Sequence, residues 1–168
     1  GIAYAKPYIF VAKSNGKIIR IDEKDGTMIS AHLPFNSKNN IEALCALNQN
    51  ELLVALKDNG GFNGKKNKKS SIYKFIWGEF IPELLIEISK KKRVGWSGIA
   101  LYNDTIHVLS HRSSELYKFT LSTGEFIKKH KLKGGNFPQP EGICFTPEGV
   151  LFISNEKADR DRATIIQF

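Results

Sequence analysis

Residues 139–156, QPEGICFTPEGVLFISNE, contain two short apolar segments joined by a Thr-Pro-Glu-Gly sequence. Pro147 suits the second position of a tight turn, and Gly149 tolerates the backbone geometry that closes it. The second apolar segment alternates in a pattern typical of a β-strand with both faces largely covered. This stretch therefore predicts a β-hairpin followed by a polar exit.

Weaker copies of this hairpin occur earlier in the chain, in residues 1–12, 41–56 and 96–110. They are spaced by roughly 45–55 residues, which is the range of β-propeller blades and longer than ankyrin or leucine-rich repeats. The chain is therefore predicted to be all-β, a β-propeller of four-stranded antiparallel blades with about three full blades and part of a fourth. The predicted blades are approximately residues 1–38, 39–93, 94–138 and 139–168.

This strand count predicts an incomplete ring. Three full meanders and part of a fourth do not make a closed ring of five or six blades, and open sheet edges favour aggregation. We therefore expect N-terminal blade material to be missing from this chain. A small self-contained β-sandwich with a similar number of strands is the alternative interpretation of the same pattern.

The composition is ordinary for a globular protein, with 41% hydrophobic and 25% charged residues among 168. No apolar run approaches the length needed to cross a bilayer. The formal net charge of +8 permits attraction to anionic partners without identifying a nucleic-acid site. Cys45 and Cys144 occupy the same position of two different repeats, so we expect two buried thiols and no disulfide.

Strand direction predicts where acidic side chains gather. In an up-and-down meander the first strand begins on the face where the second strand ends. Glu42 and Glu141 precede first strands, while Asp58, His111 and Glu156 follow second strands. Several carboxylates at one channel mouth suit Ca²⁺, which binds six to eight oxygens. The predicted metal ligands are Glu42, Glu141 and Glu156, followed by Asn155 and Asp58, and His111 is a further channel candidate.

Other interpretations of these residues stay open. Glu42 and Glu141 could instead bond the backbone at blade junctions, and Glu156 could be a solvated loop carboxylate. The acidic pattern is also incomplete, because Ser97 stands where a Glu-Gly step has its acid and Lys57 follows a second strand. No serine elbow, zinc-ligand spacing, P-loop or dinucleotide fingerprint is present in the sequence.

Two basic clusters are candidates for contact with anions such as phosphate, acidic glycans or anionic lipid. The residues are Lys65, Lys66, Lys68 and Lys69 in the first cluster and Lys91, Lys92 and Arg93 in the second. The alternative is that both clusters are solvated loops. They lack the interleaved aromatic residues that stack on bases, so no nucleic-acid partner is expected.

Residues 138–143 (PQPEGI) and 151–156 (LFISNE) resemble the bacterial SdiA-regulated β-propeller family. The resemblance extends to residues 41–45, 96–100 and 163–168, and the chain looks like the C-terminal three quarters of that domain. It implies a five-bladed propeller, distantly similar to NHL-type propellers, with a Ca²⁺ site near the channel. It also implies export, either to the periplasm, to an outer-membrane anchor or outside the cell. No settled activity comes with the family.

These features favour a non-catalytic exported propeller that binds Ca²⁺ near the channel mouth. Its channel face would contact an unidentified ligand or protein, in association with the cell envelope. The alternative function is a metal-dependent hydrolase, lactonase- or phosphoesterase-like, of the six-bladed NHL type, in which a divalent ion activates water. That function needs open positions on the ion and a nearby base, and the sequence shows no such base. A truncated product without activity is a third interpretation.

Overall fold

The computed structural model describes residues 1–57, 60–64, 69–89, 94–132, 137, 139–156 and 162–168. In these residues the regular structure is β, apart from a single 3₁₀ turn at Phe62–Gly64. The chain divides into two compact units, Gly1–Arg93 and Val94–Phe168. None of the described residues form a helix with the length and apolar character needed to cross a bilayer.

The first unit contains two antiparallel sheets, each with four strands in sequential order. The first sheet consists of β1 (Ile2–Ala5), β2 (Tyr8–Ala12), β3 (Lys17–Asp22) and β4 (Met28–His32). The second consists of β5 (Ile41–Ala46), β6 (Glu51–Leu56), β7 (Lys69–Ile76) and β8 (Glu83–Ser89). Gly16 and Gly26 adopt positive φ angles of 96° and 74° at two turns, which glycine allows without steric cost.

The core of the first unit lies between its two sheets. Phe10 and Ile18 of the first sheet and Leu52, Val54 and Phe75 of the second are completely buried in one apolar cluster. The first strand of one sheet, β1, packs against the first strand of the other, β5. This packing of successive first strands is the arrangement expected of neighbouring blades.

The second unit contains one four-stranded and one three-stranded antiparallel sheet, again in sequential order. The four-stranded sheet consists of β9 (Trp96–Tyr102), β10 (Thr105–Ser110), β11 (Glu115–Thr120) and β12 (Phe126–Lys131). The three-stranded sheet consists of β13 (Pro140–Phe145), β14 (Leu151–Asn155) and β15 (Thr164–Gln167). The sheets share an apolar cluster that includes Leu109, Leu116, Phe137 and Ile153, and β9 packs against β13.

The hairpin predicted in residues 139–156 has the expected tight turn. The Gly149 N–H donates to the Thr146 carbonyl at 3.0 Å, and Gly149 has a φ of 91°. The expectation of two buried thiols is wrong, although neither cysteine forms a disulfide: Cys45 is half-buried and Cys144 is exposed. The alternation along β13 places Cys144 on the face opposite Ile143, which packs against the core of this unit.

Candidate functional site

Three of the four sheets share the same irregularity near the start of the first strand. The pairing of β5 with β6 skips Glu42, that of β9 with β10 skips Ser97, and that of β13 with β14 skips Glu141. Such a β-bulge leaves one residue out of the ladder and re-aims its side chain. The two glutamates therefore lie inside their strands, whereas the sequence predicted them just before the strands. A bulge depends on register, which the sequence pattern does not reveal.

The residue that follows each second strand closes the bulge through its backbone. The donors are the N–H groups of Lys57, His111 and Glu156, and the acceptors are the carbonyls of Asn40, Gly95 and Gln139, at 3.0, 3.3 and 3.0 Å. We call each trio a mouth: the β5–β6 mouth (Asn40, Glu42, Lys57), the β9–β10 mouth (Gly95, Ser97, His111) and the β13–β14 mouth (Gln139, Glu141, Glu156). The backbone is equivalent in all three, so the side chains decide what each mouth can bind.

The β5–β6 mouth, in the first unit, contains an ion pair. Lys57 Nζ lies 2.9 Å from Glu42 Oε1, with only 20% and 25% of the two side chains exposed. A charge-assisted hydrogen bond of this length in a half-buried setting balances the carboxylate with a cation from its own sheet. In the sequence, Lys57 is visible only as a departure from the acidic pattern, and its pairing with Glu42 is not.

The β9–β10 mouth, in the second unit, contains no carboxylate and bonds to the backbone. Ser97 Oγ donates to the Pro140 carbonyl at 2.6 Å, which ties β9 to β13. His111 Nδ1 lies 3.0 Å from the Gly95 carbonyl, and because a carbonyl only accepts, Nδ1 carries the proton. Gly95 has a φ of 67°, and an added Cβ would collide with His111 and Arg112. This mouth therefore joins neighbouring sheets.

The β13–β14 mouth, also in the second unit, gathers two carboxylates. Gln139 Nε2 donates to Glu141 Oε1 at 3.2 Å and also to Glu156 Oε2. One neutral amide group thus bridges two side chains of like charge. Two carboxylates held this close stabilise any cation placed between them, because the cation relieves their repulsion.

A cavity of about 420 Å³ opens beside the β13–β14 mouth. Its lining residues are Glu141, Ser154, Asn155, Glu156, Ala163, Thr164 and Ile165. Asn155 is only 3% exposed, and its Nδ2 donates to Thr164 Oγ1 at 3.3 Å. Its Oδ1 is buried and has no hydrogen-bond partner among the described residues. A buried acceptor without a donor costs free energy, and a ligand that binds it recovers that cost.

The oxygen atoms around this cavity match the ligands that Ca²⁺ prefers. The lining residues include two glutamates, Asn155 with its buried amide, and Thr164, whose hydroxyl accepts the hydrogen bond from Asn155. Gly142 pairs with Ser154 across β13 and β14, and an added Cβ there would overlap Ser154 Oγ. Within the described parts of the chain, no three His, Cys, Asp or Glu side chains are grouped for a metal ion. The donor set is therefore two anionic groups completed by neutral oxygens, which Ca²⁺ accepts.

The predicted site residues separate into several groups. Glu141, Asn155 and Glu156 line one cavity, whereas Glu42 lies in the first unit beside Lys57. Lys69 is the first residue of β7, and its Nζ pairs with Glu87 on β8. The other predicted site residues fall outside the described residues. They are the metal candidate Asp58 and the candidates for anion contact Lys65, Lys66, Lys68, Lys91, Lys92 and Arg93. Gln139, Ser154 and Thr164 were not predicted.

No sequence profile of a protein family matches the chain, and no curated protein sequence matches it. Solved structures do match. A protein of unknown function from Bacteroides caccae has a TM-score of 0.63 at 17% identity, covering 99% of this chain and 55% of its own. The Swd1 β-propeller domain from Myceliophteria thermophila has a TM-score of 0.61 at 16% identity, covering 99% and 52%. A candidate oxidoreductase (glucose dehydrogenase) from Thermus thermophilus has a TM-score of 0.68 at 12% identity, covering 99% and 64%.

These similarities establish the fold. They extend over almost the whole chain, and the chain spans 52–64% of the length of these three structures. The chain therefore has the fold of a β-propeller with antiparallel blades, as predicted, and not that of the alternative β-sandwich. At 12–17% identity they carry no activity over to this chain.

Proposed function

We propose that this chain is a non-catalytic β-propeller domain that binds Ca²⁺ in the cavity beside the β13–β14 mouth. The observation that carries the proposal is the cavity lined by Glu141, Asn155 and Glu156, beside which Asn155 Oδ1 is a buried acceptor without a partner among the described residues. The three side chains would hold the ion, with the hydroxyl of Thr164 as a further oxygen ligand. The face around this mouth would then contact a ligand or protein.

The chain's own residues supply the reasons for cation binding. The ion neutralises the like charges of Glu141 and Glu156 and provides a partner for Asn155 Oδ1. Gln139, through its two hydrogen bonds, keeps both carboxylates at the cavity. When bound, Ca²⁺ contributes positive charge and flexible oxygen coordination, and no step of a reaction is required of it.

We further infer that the chain belongs to the SdiA-regulated propeller family and is exported to the cell envelope. Residues 138–143 and 151–156 support this assignment, together with the propeller fold. Fractionation of cells that express the complete gene product tests the location. We expect the protein in the periplasm, in the outer membrane or outside the cell, and recovery in the cytoplasmic fraction would contradict export.

The calcium proposal is tested by the melting temperature of the chain after chelation and then over a series of Ca²⁺ concentrations. A ligand that binds only the folded state at a hundred times its Kd stabilises that state by about 2.7 kcal/mol. For a chain of this size we expect a rise of roughly 5–10 °C. Mg²⁺ at equal concentration controls for ionic strength.

Matched variants locate the effect. Glu141→Gln and Glu156→Gln should each remove most of the Ca²⁺-dependent rise. Glu42→Gln changes the equivalent bulge residue in the β5–β6 mouth and should leave that rise intact, although it loses the Lys57 ion pair. An unchanged melting temperature up to about 10 mM Ca²⁺, above the weakest class of protein sites, would contradict the proposal. Metal-dependent turnover in a lactone and phosphoester panel would replace it with the hydrolase function.

A further inference from the structure

An arginine in the first unit lies over two aromatic rings. The guanidinium carbon of Arg20, on β3, lies 4.4 Å from the ring centroid of Tyr8 and 4.6 Å from that of Trp77. Tyr8 belongs to β2, and Trp77 directly follows β7. Both rings are half-buried, as is Arg20. We call this trio the arginine clamp.

Buried core residues contact the two rings of the clamp and hold them in place. Phe10 is completely buried, and its ring centroid lies 6.3 Å from that of Tyr8 and 6.0 Å from that of Trp77. Phe75, also completely buried, lies 6.0 Å from Trp77 in a T-shaped arrangement. The backbone N–H of Trp77 donates to the Asn50 carbonyl at 2.7 Å. The two rings that support the guanidinium are therefore held in place before any ligand arrives, which lowers the entropic cost of binding.

The donors of this guanidinium are available. Arginine has five N–H donors in one plane, and a cation–π contact with a ring takes up none of them as a conventional hydrogen bond. Within the residues that the structure describes, the Arg20 side chain makes its ring contacts but no hydrogen bond or ion pair. Nearby acids are engaged elsewhere: Asp22 Oδ1 accepts the Lys24 N–H at 2.8 Å, and Glu23 Oε2 accepts the Tyr4 hydroxyl at 2.8 Å.

Apolar surface lies beside the clamp. Ile29 on the edge strand β4 pairs directly with Arg20, so its side chain lies on the same face of the sheet, and it is 50% exposed. Trp, Tyr and Arg are the residue types that dominate binding energy at protein interfaces. A rigid guanidinium with unfilled donors, two supporting rings and an apolar margin has the composition of such an interface centre.

We propose that the arginine clamp is a docking site for a protein or peptide segment that presents a carboxylate beside an apolar side chain. A carboxylate is planar and presents two oxygens to the guanidinium fork, which makes the contact bidentate. A single guanidinium matches a single negative charge, whereas phosphorylated motifs are recognised by clusters of arginines. This site lies in the first unit and does not depend on the calcium proposal.

The probe for this site is benzoate, which combines a carboxylate with an apolar ring. Titration of the ¹⁵N-labelled chain at constant ionic strength should shift the Arg20 Nε–Hε and Trp77 indole N–H resonances along saturable curves. Neutral benzamide has nearly the same shape and should produce no such curve. Inorganic phosphate should bind about tenfold more weakly than benzoate, because it has no apolar ring to contact the exposed side chain of Ile29.

Variants at the clamp separate recognition from general attraction. Arg20→Gln should abolish the benzoate response, and Arg20→Lys should weaken it about tenfold because lysine lacks the planar fork. Arg162→Gln removes an exposed arginine outside the clamp and should leave the response unchanged. Trp77→Phe keeps the charge and a smaller ring, and it should weaken binding even if Arg20→Gln fails to fold. An equal response to benzamide, tighter binding of phosphate, or full binding by Arg20→Lys would each overturn the proposal.

Discussion

The β5–β6 mouth and the β13–β14 mouth have equivalent backbones but differ in charge: the first holds an ion pair and the second holds two carboxylates. Each has a glutamate at the bulge, Glu42 in one and Glu141 in the other, and a backbone hydrogen bond that closes the bulge. The residue that supplies this bond is Lys57 in the first mouth and Glu156 in the second. One position therefore separates an ion pair from a pair of carboxylates.

A second position changes in the same direction. The last residue of the second strand is Leu56 in the β5–β6 sheet, where it is completely buried in the core. Its counterpart Asn155 is almost as inaccessible but keeps an acceptor without a partner among the described residues. The first mouth thus combines an apolar residue with a neutralised glutamate, and the second combines two carboxylates with a buried acceptor that a cation would bind. Two side-chain choices on a repeated backbone distinguish a structural mouth from a proposed binding mouth.

The largest expected effect comes from exchanging the deciding residue. Glu156→Lys should recreate the ion pair of the β5–β6 mouth next to Glu141 and remove the response to calcium. At Ca²⁺ a thousandfold above the wild-type Kd, the wild-type chain should gain about 4 kcal/mol in free energy of unfolding and the variant none. Urea unfolding with and without Ca²⁺ measures both values.

The reciprocal exchange is the control. Lys57→Glu breaks the ion pair in the first unit and places two carboxylates together, so it should lower the calcium-free stability by about 1 kcal/mol. The calcium response of the second unit should persist in this variant. If Glu156→Lys kept the full calcium response, the difference between the mouths would have no bearing on cation binding.

The repeated strands could be predicted because local sequence specifies them. The strands β6 and β10 end at Leu56 and Ser110, where the predicted hairpins 41–56 and 96–110 end, since both are apolar β-rich segments that follow a turn. The bulges at Glu42 and Glu141 could not be predicted. They depend on which residues of the two strands are paired, and that register is fixed by packing between strands.

The candidate site was partly visible in the sequence. Strand direction was enough to bring Glu141, Asn155 and Glu156 together, because their positions follow from where strands begin and end. Thr164 was missed because it reaches Asn155 only through the pairing of β14 with β15. Gln139 was missed because its role arises from two hydrogen bonds to side chains that the bulge redirects.

The second largest expected effect is a loss of stability at low pH, caused by a buried histidine in the second unit. His107 on β10 is 4% exposed, packs its ring 4.7 Å from that of Phe145, and has Nδ1 3.0 Å from the Thr105 carbonyl. Burial, together with the positive charge of Lys118 on the neighbouring strand, lowers the pKa of His107 to about 4. The unfolded chain, with a histidine pKa near 6.5, therefore binds the proton more readily than the folded chain does.

Stability from this histidine is complete above pH 6.5 and is lost as the pH falls towards 4. A difference of about 2.5 pKa units corresponds to a loss of up to about 3 kcal/mol. Urea unfolding at several pH values should show this slope, and His107→Gln should flatten it. Glu115 contributes at lower pH. Burial raises the pKa of its carboxyl group, but hydrogen bonds from Lys129 and Tyr117 outweigh burial and lower that pKa to about 2. An unchanged slope between pH 6.5 and 4 in His107→Gln would assign the acid response to other groups.

The smallest expected effect is that of a substitution that should weaken Ca²⁺ binding without lowering the calcium-free stability. Asn155→Leu gives the β13–β14 mouth the apolar residue of the β5–β6 mouth and removes the buried amide acceptor. Without Ca²⁺ its free energy of unfolding should be unchanged or higher by up to about 1 kcal/mol, because the loss of the Thr164 hydrogen bond is offset by the removed desolvation cost. Ca²⁺ affinity, measured by calorimetry, should fall about tenfold, a loss of about 1.4 kcal/mol. A variant that is less stable without Ca²⁺ yet binds it normally would mean that Asn155 serves the fold, and that Glu141 and Glu156 hold the ion without it.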